Sequence, residues 1–281
     1  MLATRILTAL LLLAAVLAAL FLLPPWAWGA VALAGIAIAA AEWANLAGYG
    51  KPAWFTFVAG ALLIGLNLLF SPLVGFADER GWPDGVVLAV CGPATAFWML
   101  VAPAWLRGHW KPRSKLLVAV VGWLVLIAAW VAIVELQARS PWLALAAMAI
   151  VWVADIAAYF TGRAFGRRKL APSISPGKTW EGVYGALAAV AVGAVALVPL
   201  AQRAGYAGEV SAFAVAGWLL LALVFVALAV TGDLFESLQK RHAGVKDSGT
   251  LLPGHGGVLD RIDALLAALP LAALAALAFL R

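Results

Sequence analysis

The sequence predicts an all-α polytopic integral membrane protein with about nine transmembrane helices. Three observations carry this reading. Of the 281 residues, 65% are hydrophobic and only 11% charged, with a mean hydropathy of +1.02, whereas soluble domains carry about 25% charged residues. The apolar stretches run unbroken for about 20 residues, the length a helix needs to cross the hydrocarbon core, and do not alternate as barrel strands would. The charges collect between these stretches, and most of the basic ones fall on alternate connections. So sparse a charge excludes a water-soluble globule, a disordered chain and a nucleic-acid-binding domain, even at a net charge of +6. The single cysteine, Cys91, permits neither an intrachain disulfide nor a cysteine metal cluster, and reads as a small apolar helix residue.

The first span covers residues 6–23 and stops at Pro24 and Pro25. Its apolar core is longer than a signal-peptide core and no clean cleavage site follows, so it reads as a retained helix. The second span, about 27–48, contains Glu42, and the third, 53–77, has no charge. The fourth is 85–106, the fifth 116–135, and the sixth about 141–162 with Asp155 inside it. The seventh is 182–202, the eighth 210–235 and the ninth 262–280. Residues 1–140 form an N-terminal multi-span region, and 141–281 a C-terminal membrane region that carries the chemistry-bearing motifs.

Nine alternating crossings place 15 of the 19 Lys and Arg residues on the side of the N-terminus and the loops near 49–52, 107–115, 163–181 and 236–261. Arg80, Arg139, Arg203 and Arg281 fall on the other. The positive-inside rule makes the first side cytoplasmic, with the N-terminus in and the C-terminus out. Five acids lie in or beside spans at that same cytoplasmic depth: Glu42, Asp155, Asp233, Asp260 and Asp263. Carboxylates in membrane helices are costly and call for a reason. For Glu42 and Asp155 an interfacial ion pair with a nearby Lys or Arg stands beside a functional role. For the three aspartates near the C-terminus a divalent cation is the better reading, because Mg²⁺ takes oxygen ligands from one or two carboxylates plus substrate phosphates.

Two cytoplasmic loops carry the chemistry. In residues 233–263, Asp233, Ser237 and Lys240 recur at helical spacing and share one face as span eight extends beyond the membrane. Lys240, Arg241 and Lys246 supply positive charge, and Gly249, Gly254, Gly256 and Gly257 let backbone approach a ligand closely. Asp260 and Asp263 then lie on one face of the next helix. This is equipment for a polyphosphate, with amides and cations on the phosphates and a metal between them. A merely topogenic patch would explain the lysines, but not the glycines, His255 and the aspartates together. The second loop, 162–182, offers Ser175 and Lys178 as an anion site. Its Pro176-Gly177-Lys178-Thr179 lacks the earlier glycine of a Walker P-loop. Loop 107–115 has charge without carboxylates and reads as topogenic and lipid-facing; the tryptophans read as packing and interfacial-belt residues.

The ordered residues Ser237-Leu238-Gln239-Lys240-Arg241, Lys246-Asp247-Ser248-Gly249 and Leu252-Pro253-Gly254-His255-Gly256-Gly257-Val258-Leu259-Asp260-Arg261-Ile262-Asp263 resemble the C-terminal signature of the phosphatidate cytidylyltransferases. Asp155 and the segment Ser175–Gly182 resemble the same family. Gln239 departs from it, since an apolar residue is usual there; this touches local packing only. The specific match covers 152–185 and 231–265, and the first 140 residues match only as an apolar multi-span region.

The resemblance implies transfer of CMP from CTP to phosphatidate, giving CDP-diacylglycerol and pyrophosphate, with Mg²⁺ and room for a second cation. It also implies a homodimer in a bacterial-type inner membrane, serving phospholipid synthesis. Asp233 and Asp260, with Asp263 and Asp155, are then the expected metal ligands. Lys240, Arg241 and Arg261 would act with Asp233 and Asp260 in catalysis. Ser175, Lys178, Ser237, Lys246, Asp247, His255, Gly256 and Gly257 would bind substrate. Two other readings stand beside it: a CTP-dependent polyprenol or phytol kinase, and an ion-coupled transporter, although transporter sites tend to lie at the midplane. The spacing Asp260-Arg261-Ile262-Asp263 does not supply the motif of a CDP-alcohol phosphotransferase.

Overall fold

The computed structural model describes residues 2–71, 81–203, 211–252 and 254–279. Within them lie nine helices and one short β-hairpin. The helices are α1 (Leu2–Leu22), α2 (Pro25–Leu46), α3 (Lys51–Phe70), α4 (Asp84–Arg107), α5 (Lys115–Arg139), α6 (Pro141–Phe165), α7 (Trp180–Arg203), α8 (Ala212–Ala243) and α9 (Leu259–Phe279). Eight of them, α2 to α9, are long and apolar enough to cross a membrane. The sequence expectation of an all-α polytopic membrane protein holds.

Local chemistry sets most boundaries. Proline occupies the first turn of α2, α3 and α6, where its missing N–H costs nothing. Ser114 caps α5 by accepting from the Leu117 amide at 3.2 Å, and Ser211 caps α8 by accepting from Ala214 at 3.1 Å. Inside α4, Pro93 removes a donor, and the helix takes a π turn over Phe97–Val101. Helix α3 ends at Phe70 where the third apolar run continues to 77; residues 72–80 lie outside the described ones.

Helix α5 is the axis of the bundle. Its residues Val125–Gln137 are all buried, packed against α2, α4 and α9. Tryptophans stitch this packing together. The Trp130 indole donates to the Gly29 carbonyl at 2.9 Å, Trp82 to Val131 at 3.1 Å, Trp43 to Val118 at 3.2 Å and Trp123 to Phe57 at 3.0 Å. A buried indole N–H needs an acceptor, and in lipid only a neighbouring helix offers one.

Three features set up one end of the bundle. Helix α8 has 32 residues, about 48 Å at 1.5 Å per residue, while a crossing takes about 30 Å. Its last third, from Asp233 onward, carries the charged residues of the helix, Asp233, Glu236, Lys240 and Arg241. The hairpin pairs β1 (Lys169–Ala171) with β2 (Ser175–Thr179) antiparallel, so the Pro-Gly-Lys-Thr stretch is strand and not loop. Two lysines of loop 107–115 reach carbonyls of other elements. Lys111 donates to the His242 carbonyl at the C-terminal end of α8, and Lys115 to the Gly48 carbonyl, both at 3.1 Å.

Candidate active site

The close approach of α8 and α9 builds the centre. A β-carbon on Gly232 would stand 2.5 Å from the Asp263 carbonyl oxygen and 2.9 Å from the Ala267 β-carbon. Only glycine allows this crossing, and it sets Asp233 beside the first turn of α9, where Asp260 and Asp263 project. The hairpin closes the third side, because Lys178 on β2 forms an ion pair with Asp233. Glu181, in the first turn of α7, accepts from the Arg167 amide at 3.0 Å and from the Arg168 amide. This fixes the hairpin's entry to the helix that follows it.

Asp155 on α6 lies within electrostatic reach of Asp233, Lys178 and Arg261. Asp263 is within reach of Asp233, Lys178 and Lys240, and its Oδ1 accepts from the Ala264 amide at 2.7 Å. Asp260 is more heavily engaged. Its Oδ1 accepts from Lys240 Nζ at 2.6 Å, and its Oδ2 accepts from the Ser248 and Gly257 amides at 2.9 and 2.8 Å. Lys240 also pairs with Glu236, whose Oε1 is buried without a hydrogen-bond partner. Ser237 is buried and donates to Asp233 Oδ1 at 3.4 Å, as the helical spacing of that face requires. Asp155, Lys178, Asp233, Ser237, Lys240, Asp260, Arg261 and Asp263 thus form one cluster at one end of the bundle.

Other candidates sit differently. Arg241 turns away from the acids, and its Nε donates to the Ile174 carbonyl in the hairpin turn at 3.2 Å, tying β1–β2 to α8. Ser175 opens β2 opposite Ala171, half-buried. Lys246 and Asp247 are exposed on the loop leaving α8. His255 shares a 3.0 Å hydrogen bond between its Nδ1 and Thr8 on α1. Gly256 has φ of 81°, and a β-carbon there would press on Asp260 Oδ2, so the loop can fold over that carboxylate only with glycine in this place. Two further acids stand at the site. Glu236 pairs with Lys240 four residues on, and Glu42, an interfacial acid by its place in the sequence, accepts from Ser248 and from two amides at the start of α9.

The donor set suits a hard divalent cation that shares its ligands with a substrate. Among the described residues, no group of three or more His, Cys, Asp or Glu converges closely enough to hold a metal by itself. Asp233 and Asp263, with Asp260 on the same helix face as Asp263, offer the one or two carboxylates that Mg²⁺ uses when phosphates complete its shell. Lys178 and Lys240 already balance these acids, and ammonium groups of this kind also bind phosphate.

Fold and site together describe a polytopic membrane protein that gathers acids and lysines at one end of its helix bundle. The chain belongs to the cytidylyltransferase family, whose sequence profile matches residues 3–279. It is similar to a phosphatidate cytidylyltransferase of Pseudomonas aeruginosa, 42% identical over 96% of this chain and 95% of the relative. The corresponding protein of Haemophilus influenzae is 38% identical over 96% of each chain. One from Brucella suis is 50% identical over 122 residues, 43% of this chain and 41% of the relative. The family resemblance seen in the motifs therefore extends to the whole length, and the chain is a nucleotidyltransferase by family.

Proposed function

We propose that this enzyme transfers CMP from CTP to phosphatidate, releasing pyrophosphate and leaving CDP-diacylglycerol in the bilayer. The observation that carries the reading is the meeting of Lys178, Asp233, Asp260 and Asp263 from three separate elements at one end of the helix bundle. The names of the relatives from Pseudomonas aeruginosa and Haemophilus influenzae point to the same substrate. The distribution of Lys and Arg supports a cytoplasmic site, with the N-terminus inside and the C-terminus outside, in a bacterial inner membrane. The family resemblance supports a homodimer.

The chemistry follows from charge. A phosphate oxygen of phosphatidate attacks the α-phosphorus of CTP; an O–P bond forms, the bond to the bridging oxygen of the β-phosphate breaks, and pyrophosphate leaves with its electrons. The nucleophile is already anionic, so no strong base is required. The barrier is repulsion between anions and the need for alignment. Lys178, Lys240 and Arg261 neutralise the triphosphate as it arrives, exchanging carboxylate partners for phosphate oxygens. One or two of Asp233, Asp260 and Asp263 would hold Mg²⁺, with substrate phosphates completing its shell and Asp155 close by; the metal would supply Lewis-acid neutralisation of the phosphates. Arg241 keeps the hairpin, and so Lys178, in place. The lipid reaches the site sideways from the inner leaflet, its tails remaining in hydrocarbon.

The test is purified protein in phosphatidate-containing vesicles, supplied with CTP and Mg²⁺. Pyrophosphate and CDP-diacylglycerol are expected in equal amounts, lost on chelation and lost in Asp233→Asn and Asp260→Asn variants that still fold. Turnover near the wild-type rate in either variant removes the metal assignment.

A further inference from the structure

Glu42 is a buried acid that the reaction does not use. It lies near the C-terminal end of α2, 6% exposed. A carboxylate withdrawn this far from water needs compensation, yet no Lys or Arg pairs with it among the described residues. Compensation comes from three donors. Ser248 Oγ donates to Oε2 at 2.9 Å, the Val258 amide to Oε1 at 3.0 Å, and the Leu259 amide to Oε2 at 2.7 Å. Leu259 is the first residue of α9, so a carboxylate 217 residues away in sequence serves as the helix's N-terminal anion.

The glycine-rich loop is shaped around this group. A β-carbon on Gly249 would have Glu42 Oε1, Cδ and Cγ as its three nearest atoms, the closest at 2.5 Å. A β-carbon on Gly257 would collide with the same carboxylate and with Ser248 Oγ. On its other side the loop is held by Asp260, which accepts from the Ser248 and Gly257 amides. Ser248 is common to both grips, giving its hydroxyl to Glu42 and its amide to Asp260. At Ser248 and over Gly257–Leu259 the backbone is therefore clamped between two carboxylates, one from α2 and one from the site.

We infer that Glu42 is a positioning residue of the nucleotidyl-transfer site: it fixes the glycine-rich loop and the first turn of α9, and through them the orientation of Asp260. The inference rests on the function proposed above. A stabilising cap alone would leave the folded enzyme's turnover and metal requirement unchanged. A positioning residue moves both.

The experiment compares wild type, Glu42→Ala, Glu42→Gln, Gly249→Ala and the double variant Glu42→Ala/Gly249→Ala in vesicles, at a temperature where each is folded. In both Glu42 variants kcat is expected to fall about tenfold to a hundredfold, the scale of a misplaced reacting group. The Mg²⁺ concentration for half-maximal rate should rise several-fold while the KM for phosphatidate stays within about threefold. Glutamine keeps one acceptor, so it should retain more activity than alanine. Gly249→Ala should be impaired alone, yet cost nothing further in the Glu42→Ala background, because the atoms it strikes are gone. Hydrogen exchange of the 248–259 segment should quicken in Glu42→Ala more than in the rest of the chain. Wild-type kcat and Mg²⁺ dependence in both Glu42 variants overturn the inference, as does an additive Gly249→Ala effect. If wild type itself makes no CDP-diacylglycerol, the functional reading falls and takes the catalytic role with it; unchanged exchange in 248–259 then refutes the clamp separately.

Discussion

Gly232 offers a sharp test of how the site is assembled. Its substitution by alanine adds one methyl group to α8, far too little to alter charge or polarity. The added carbon would stand 2.5 Å from the Asp263 carbonyl oxygen, 2.9 Å from the Ala267 β-carbon and 3.3 Å from the Ala264 α-carbon. Two of those atoms are backbone and cannot rotate away. Restoring an ordinary contact of ~3.4 Å requires α9 to move by about 0.9 Å where it carries Asp260 and Asp263. Overpacking of this kind costs about 1–3 kcal/mol, and a displacement near 1 Å in a phosphate-aligning site costs about a hundredfold in rate. Gly217, on the same helix, has open space where its β-carbon would go, and alanine there should be neutral or stabilising by up to about 1 kcal/mol. The assay is turnover of the two variants in phosphatidate vesicles, paired with thermal unfolding in detergent. Gly232→Ala should lose one to two orders of magnitude in kcat, and Gly217→Ala none. Equal activity in both would refute the claim that the α8–α9 approach sets the acids.

Three further outcomes are expected. Lys178→Met should lower kcat/KM at least about a hundredfold by removing a phosphate-neutralising charge, and should also lower the unfolding temperature because the partly buried Asp233 loses its ion-pair partner. Arg241→Lys keeps the charge but loses the guanidinium bond to the Ile174 carbonyl. It should raise the KM for CTP with kcat largely kept, read from initial-rate kinetics. Trp130→Phe removes a fully buried hydrogen bond to the Gly29 carbonyl; about 1–2 kcal/mol of stability should go, seen as a lower unfolding temperature with normal activity at 20 °C or so.

Much of the fold is written in the unbroken apolar runs, because lipid leaves the backbone few alternatives to a helix. The face formed by Asp233, Ser237 and Lys240 is likewise legible, since a helix brings residues four apart together whatever surrounds it. What the sequence hides is long-range. Pro176 and Gly177 argue against a strand, yet β2 forms because Ser175–Thr179 pairs with Lys169–Ala171 across a tight turn. Arg241 carries the charge of a phosphate ligand, but its partner is a carbonyl 67 residues earlier. Glu42 has no local signal, because each of its hydrogen-bond donors, Ser248, Val258 and Leu259, lies more than 200 residues away. The acceptors of Lys111 and Lys115, the carbonyls of His242 and Gly48, have no side-chain signature either.

The central claim is nucleotidyl transfer to a membrane phosphate, and the fate of each CTP phosphate tests it most directly. Purified protein in phosphatidate vesicles is given Mg²⁺ and CTP carrying radioactive phosphorus at either the α or the γ position. Label from the α position should enter the lipid fraction as CDP-diacylglycerol, and label from the γ position should leave only as pyrophosphate. Label from the γ position in lipid, with CDP as the soluble product, would contradict the account and make the protein a lipid kinase.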